Sequence, residues 1–194
     1  HARAGNTVES SQYGFGLRVA AGQLLDTADV GAAAANGVGV SSYVPDLGLA
    51  FLDLTDASGL PSIGVASWDG SRLSPQASPV LEAGSAAFEA DGVGSPVVFQ
   101  DDGGDWVMLY AGYGEGIVRI GRATSSDGVE WTRSGSSPVF ALGDDWDSYG
   151  ALPGSIERLD SGEWRLWYSG SNGERSRIGC ATSTDGSSFA QSQE

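Results

Sequence analysis

The chain has no lysine, a single cysteine, a single histidine, and no apolar run long enough to cross a bilayer. Each shortage excludes something. One cysteine rules out an internal disulfide and leaves the redox compartment open. Cys180 falls mid-strand, where its repeat counterparts are Val65 and Arg122, and reads as small core filler in preference to a reactive thiol. Ten arginines face 25 acidic residues for a net charge of -15, a balance that repels phosphate backbones and anionic lipid, so neither nucleic acid nor a membrane is expected as a partner. The missing lysine fits a GC-rich or salt-adapted source and fits compositional drift equally well. No metal or other cofactor is expected. The acidic run Asp144-Asp145-Trp146-Asp147 lacks the alternate-residue spacing of a calcium loop, and His1 is terminal. Opening on His1 instead of methionine points to a processed start, with a secreted or extracytoplasmic location as the expectation.

What is plentiful is glycine, 30 residues of it, and repetition. IGVASWDGSRL from Ile63 returns as IGRATSSDGVEW from Ile120 and IGCATSTDGSSF from Ile178, with a worn copy, TVESSQYGFGL, from Thr7. The Asp-Gly turn falls at Asp69, Asp127 and Asp185, so the period is 58. Trp106-Val107-Met108-Leu109-Tyr110 returns as Trp164-Arg165-Leu166-Trp167-Tyr168 and is foreshadowed by Phe51-Leu52-Asp53-Leu54-Thr55. Self-similarity at such a period means stacked or radial units, because one unit cannot bury its own hydrophobic face.

Each period reads as four short strands, A around Pro96, B around Trp106, C around Ile120 and D around Pro138, bounded by Gly, Asp, Ser and Pro clusters, with no stretch competing as a helix. Four strands per repeat select a β-propeller, whose blades are four-stranded sheets around a channel. The expected class is therefore all-β: a single propeller-like domain over residues 1–194, with repeats at about 18–73, 74–131 and 132–189 after an extra strand in 1–17. Trp106, Trp164, Tyr110, Tyr168, Ile120 and Ile178 are expected between blades. Three repeats fall short of the usual ~4–8 blades. Either the array belongs to a longer polypeptide or copies pair, and a homodimer is the expectation.

The combination of IG-x-A-T-S-x-D-G-x-x-W, a following S-P-V-hydrophobic, a Gly-x-x-x-Pro inner strand and W-x-x-x-Y-x-G resembles the five-bladed propellers of the arabinanase, xylosidase and fructosidase clan of glycoside hydrolases. The sialidase Asp-box is excluded because Gly128 directly follows Asp127. The resemblance implies carbohydrate as the partner and a pair of acids near the channel. Its usual Asp-Pro on an inner strand is not present here, since Ser95 and Leu152 precede the inner prolines.

Site residues are therefore sought on the D-to-A connections. Phe88-Glu89-Ala90-Asp91-Gly92 aligns with Trp146-Asp147-Ser148-Tyr149-Gly150, an aromatic followed by an acid in both. A sugar site uses this mixture, a ring face against C–H surface and carboxylates for hydroxyls or proton transfer. Asp91 and Asp147 are the expected acid and base. Phe88, Glu89, Trp146 and Tyr149 are expected to hold substrate, with Arg175 and Arg177 placed to take a carboxylate. A pair recurring once per blade is more often a structural device, the ring packing between blades and the acid capping a turn. The repeated Glu89 and Asp147 fit that reading better than Asp91 and Tyr149. Two function classes follow: a glycoside hydrolase-like propeller acting at the channel mouth, or a non-catalytic glycan- or protein-binding propeller closed by homo-oligomerisation.

Overall fold

The computed structural model describes residues 7–11, 14–18, 24–143 and 145–192. It is almost entirely β. A hairpin of β1 (Thr7–Ser11) and β2 (Gly14–Arg18) comes first, followed by three four-stranded antiparallel units. The first blade is β3 (Gly37–Val44), β4 (Leu49–Thr55), β5 (Pro61–Trp68) and β6 (Leu73–Pro75). The second is β7 (Gly92–Gln100), β8 (Trp106–Gly114), β9 (Ile117–Ser125) and β10 (Thr132–Arg133). The third is β11 (Gly150–Arg158), β12 (Trp164–Ser171), β13 (Ser176–Ser183) and β14 (Ala190–Gln191). The inner strand β7 neighbours both β3 and β11, which is the radial arrangement of a propeller.

Three features differ from the expectation. The fourth strand of each blade is the two or three residues just past the Asp-Gly turn, not the Pro-Val-hydrophobic stretch. Proline has no N–H to give a ladder, and Pro79-Val80-Leu81 instead crosses the end of its blade, where the Val80 and Leu81 amides donate to the Ile63 carbonyl at 2.8 and 3.2 Å. The extra N-terminal element is a hairpin, with Thr7 opposite Arg18, where a single extra strand was expected. Among the described residues there is one short α-helix, α1 (Thr27–Val30), beside two 3-10 turns at Ala32–Ala34 and Ala87–Glu89; α1 is held by a reciprocal capping box in which Asp26 caps the Asp29 amide and Asp29 the Asp26 amide.

Two cores lie between blades. Phe51, Ile63 and Val65 of the first blade meet Val93, Trp106, Met108 and Tyr110 of the second, while Val107, Leu109 and Ile120 meet Ala151, Trp164, Leu166 and Tyr168 of the third. Of the six residues expected between blades, five are buried. Ile178 is the exception at 80% exposed, because nothing among the described residues follows the third blade to cover it.

The consensus turns close by one local device. In the second blade the Ser125 hydroxyl takes the Gly128 amide at 2.8 Å, while one oxygen of Asp127 takes the Val129 and Glu130 amides at 2.8 and 2.9 Å. Asp185 repeats this, and the Ser187 hydroxyl and amide with the Ser183 hydroxyl lower its pKa to about 2. A carboxyl whose folded pKa lies below its unfolded value stabilises the fold above the unfolded value and loses that contribution as pH falls through the folded one. We expect the thermal midpoint to be insensitive to Asp185 protonation down to about pH 4 and to fall from there toward pH 2. In Asp185→Asn the fall over that window should be shallower, which thermal scans at stepped pH would measure.

Candidate functional site

The end of the blades that carries the connections into the inner strands presents three equivalent positions. The amides of Asn36, Asp91 and Tyr149 donate to Thr55, Tyr113 and Ser171 respectively, at 2.9, 2.8 and 2.8 Å, each immediately before the glycine that opens an inner strand. Asp91 and Tyr149 are exposed there, Tyr149 at 53% with its ring against Gly173. Arg175 and Arg177 are exposed on the third blade, where the Arg175 amide donates to Asn172.

The aromatic-acid pairs are placed differently from a surface site. Phe88 is buried between the first two blades, and Glu89 and Asp147 are each 1% exposed. Tyr110 donates to Glu89 at 2.7 Å, and Tyr168 donates to Asp147 at 2.9 Å. A fourth-strand residue completes each lock: Arg133 reaches Glu89 at 2.8 Å, and Gln191 donates to Asp147. Burial, and then the hydrogen bond to the acid, push both phenols well above the usual tyrosine range, so they stay protonated donors. The first blade has Ala34, Leu52 and Pro75 at the three corresponding positions, so all three polar groups are absent together and none is stranded. Trp146 is half-buried and stacks on Tyr168 with ring centroids 5.6 Å apart. Asp91 and Asp147 thus occupy non-equivalent places, one at the surface and one sealed by donors.

A cluster that the sequence reading did not single out lies on the inner strands. All three inner strands bulge at the same level, between Val40 and Ser42, Gly94 and Val97, and Pro153 and Ser155. Bulges re-aim side chains and are frequent beside functional sites. At the second bulge Ser95 has φ 49°, a left-handed conformation that a serine adopts at a cost, and its amide donates to Asp53 of the first blade at 2.6 Å. The Ser41 hydroxyl donates to the other Asp53 oxygen. Tyr113 completes the group: its hydroxyl interacts with Ser95, and its pKa is raised, first by burial, with the Asp53 charge adding to the shift and the Ser95 contact opposing it. The Asp91 amide donates to the Tyr113 carbonyl at 2.8 Å, so the Asp91 backbone is anchored to the residue whose ring borders the Asp53 group. Three residue steps along the chain lead from Asp91 to Gly94, which lies against Asp53, a backbone span of about 10 Å at ~3.4 Å per residue. Asp53 was visible as a charge inside an apolar strand, Phe51-Leu52-Asp53-Leu54; its pairing with Ile63, like that of Ala111 with Ile120 and Ser169 with Ile178, makes Ala111 and Ser169 its counterparts, three residues out of the register that the match of Phe51–Thr55 to Trp106–Tyr110 suggested.

No protein-family model and no curated protein matches the sequence. Solved structures do match in fold. One is a glycosyl hydrolase from Bacteroides ovatus, TM-score 0.58 at 20% identity over 81% of this chain and 48% of that one. Another is Zg3597, a family 117 glycoside hydrolase of the marine bacterium Zobellia galactanivorans, TM-score 0.62 at 16% identity over 80% and 54%. A third belongs to the GH130 family of mannoside phosphorylases, which contains glycoside hydrolases targeting β-1,2 mannosidic linkages in Candida mannan; its TM-score is 0.57 at 20% identity over 75% and 45%. The chain spans about half the length of these proteins. The fold is therefore a partial propeller of the kind that glycoside hydrolases use.

Proposed function

We propose that the chain is a glycoside hydrolase-like propeller module that binds carbohydrate at the inner-strand bulge beside Asp53, where its first two blades meet, with Asp53 and Asp91 as the reacting carboxylates. The observation that carries this reading is Asp53, a half-buried carboxylate fixed by Ser41 and by the strained Ser95 amide at the inner-strand bulge. The neighbours' shared fold supports carbohydrate as the ligand class. Hydrolysis of a glycosidic bond needs one carboxyl to protonate the leaving oxygen and a second to direct water or act as nucleophile. Asp91, exposed where the connection enters the inner strand, takes the place of the acid in this reading, and Asp53, held by Ser41 and the Ser95 amide, that of the base. Tyr113, kept protonated beside Asp53, donates to a sugar hydroxyl. Asp147 in this reading positions Tyr168 and Trp146 and does not touch substrate.

A panel of aryl glycosides tests the reading. Asp53→Asn and Asp91→Asn should each lower turnover on the order of 100-fold or more with circular dichroism unchanged. Equal rates in wild type and both variants would remove the assignment. Binding without turnover is the second reading, favoured by Ser95 and Leu152 standing before the inner-strand prolines. A glycan array giving binding while the panel gives no product would select it.

A further inference from the structure

The three inner strands make the same bulge, each with one residue inserted, and only one of them uses a left-handed residue to do it. Among the described residues Ser95, with φ 49°, is one of two non-glycine residues at positive φ; the other, Glu115, sits in the tight turn between β8 and β9. Val40 and Pro153 stand at the position of Ser95 in the other blades, one step past Gly39 and Leu152, and neither has a positive φ. The bulge therefore does not require the conformation. Nor does the local sequence favour it, because a residue before proline is pushed toward extended backbone and Pro96 follows Ser95. A contact from outside the strand has to hold Ser95 there.

What differs is the residue across the blade junction. The Ser95 amide donates to one oxygen of Asp53 at 2.6 Å, and a Cβ at Gly94 would lie 3.1 Å from that same oxygen. The counterpart of Asp53 in the second blade is Ala111, and the third blade's inner strand carries Leu152 and Pro153 at the positions of Gly94 and Ser95. Acceptor, donor and the space between them thus change together. Where the carboxylate is missing, the amide gives way to a proline, which has no N–H, and the glycine to a large side chain. We infer that Gly94-Ser95 is a positioning element for Asp53: the left-handed turn at Ser95 aims its amide at that carboxylate, and the carboxylate in return holds Ser95 in the turn. Resting on the reading of Asp53 as a reacting group, this gives Ser95 a part in the reaction through Asp53 alone.

A crystal structure of Asp53→Ala, which copies Ala111, tests the anchor without reference to any substrate. Ser95 should leave the left-handed region for a negative φ, as Val40 and Pro153 have. A Ser95 still at positive φ would overturn the inference. The part in the reaction is read from kinetics on the aryl glycoside panel. Ser95→Pro with Pro96→Gly copies Pro153-Gly154 and removes the amide, and should lower kcat on the order of 100-fold with KM little changed, the loss expected of a misplaced reacting group. Ser95→Gly keeps the amide and adopts the left-handed turn freely, and should retain at least about ten times the kcat of the copied bulge. Wild-type kcat in the copied bulge, with circular dichroism unchanged, would overturn the positioning role. Should that variant not fold, Gly94→Ala, which presses on the same Asp53 oxygen, replaces it with the same loss expected and the same contrary result. Relaxation of Ser95 in Asp53→Ala, in a chain that neither turns over nor binds any glycoside, would uphold the anchor and overturn the carbohydrate reading alone.

Discussion

Glu89→Ala is expected to destabilise the fold by about 3–5 kcal/mol, the range for removing one partner of a buried charged group. The loss has two parts. The Tyr110 hydroxyl, inside the first inter-blade core, loses its acceptor, and Arg133 loses the carboxylate that ties the fourth strand to the blade. Adding Tyr110→Phe to Glu89→Ala should recover about 1 kcal/mol, because the stranded hydroxyl goes with it. In a wild-type background the same Tyr110→Phe change should destabilise. Denaturant unfolding of the four proteins closes the double-mutant cycle, and additive losses would mean that the two groups act independently. The first blade is the natural precedent, since it folds the same geometry with alanine, leucine and proline at these positions.

Gly112→Leu is expected to cost at least the ~1–3 kcal/mol of core overpacking, and Phe88→Ala should restore much of it. A Cβ at Gly112 would lie 2.7 Å from the Phe88 ring and 3.0 Å from the Glu89 Cβ, neither of which has room to move. The third blade repeats the pairing, with a Cβ at Gly170 falling 2.4 Å from Trp146. The first blade reverses it. Leu54 stands at the glycine position and Ala33 at the ring position, so volume moves from one partner to the other while the sum is kept. Rescue of Gly112→Leu by Phe88→Ala, read as recovered unfolding midpoint, would establish that exchange. A double variant no more stable than Gly112→Leu alone would refute it.

These two networks mark what the sequence could and could not tell. The period, the order of strands and the matching of Phe88-Glu89 with Trp146-Asp147 were legible because they rest on long patterns repeated three times. The reason for the match was not. A recurring aromatic-acid pair reads alike whether the ring meets a sugar or a glycine, and only the positions of Gly112, Tyr110 and Arg133 in space decide it. The fourth strands were misplaced because two or three residues carry no periodicity, whereas Pro-Val-Leu has the composition of a strand while lacking a donor at its proline. Ile178 was assigned to the interior because its sequence equals that of Ile120, and identical copies do not reveal which one ends the array. Asp53 was passed over for the opposite reason: it belongs to one copy alone.

The claim that carbohydrate is handled between the first two blades is tested most directly by a crystal structure with the aryl glycoside that the chain turns over or binds best. The account predicts density for the sugar against Asp53, Ser95 and Tyr113, with its leaving oxygen toward Asp91. Density for the sugar at Trp146 and Arg177 on the third blade, with none beside Asp53, would contradict it.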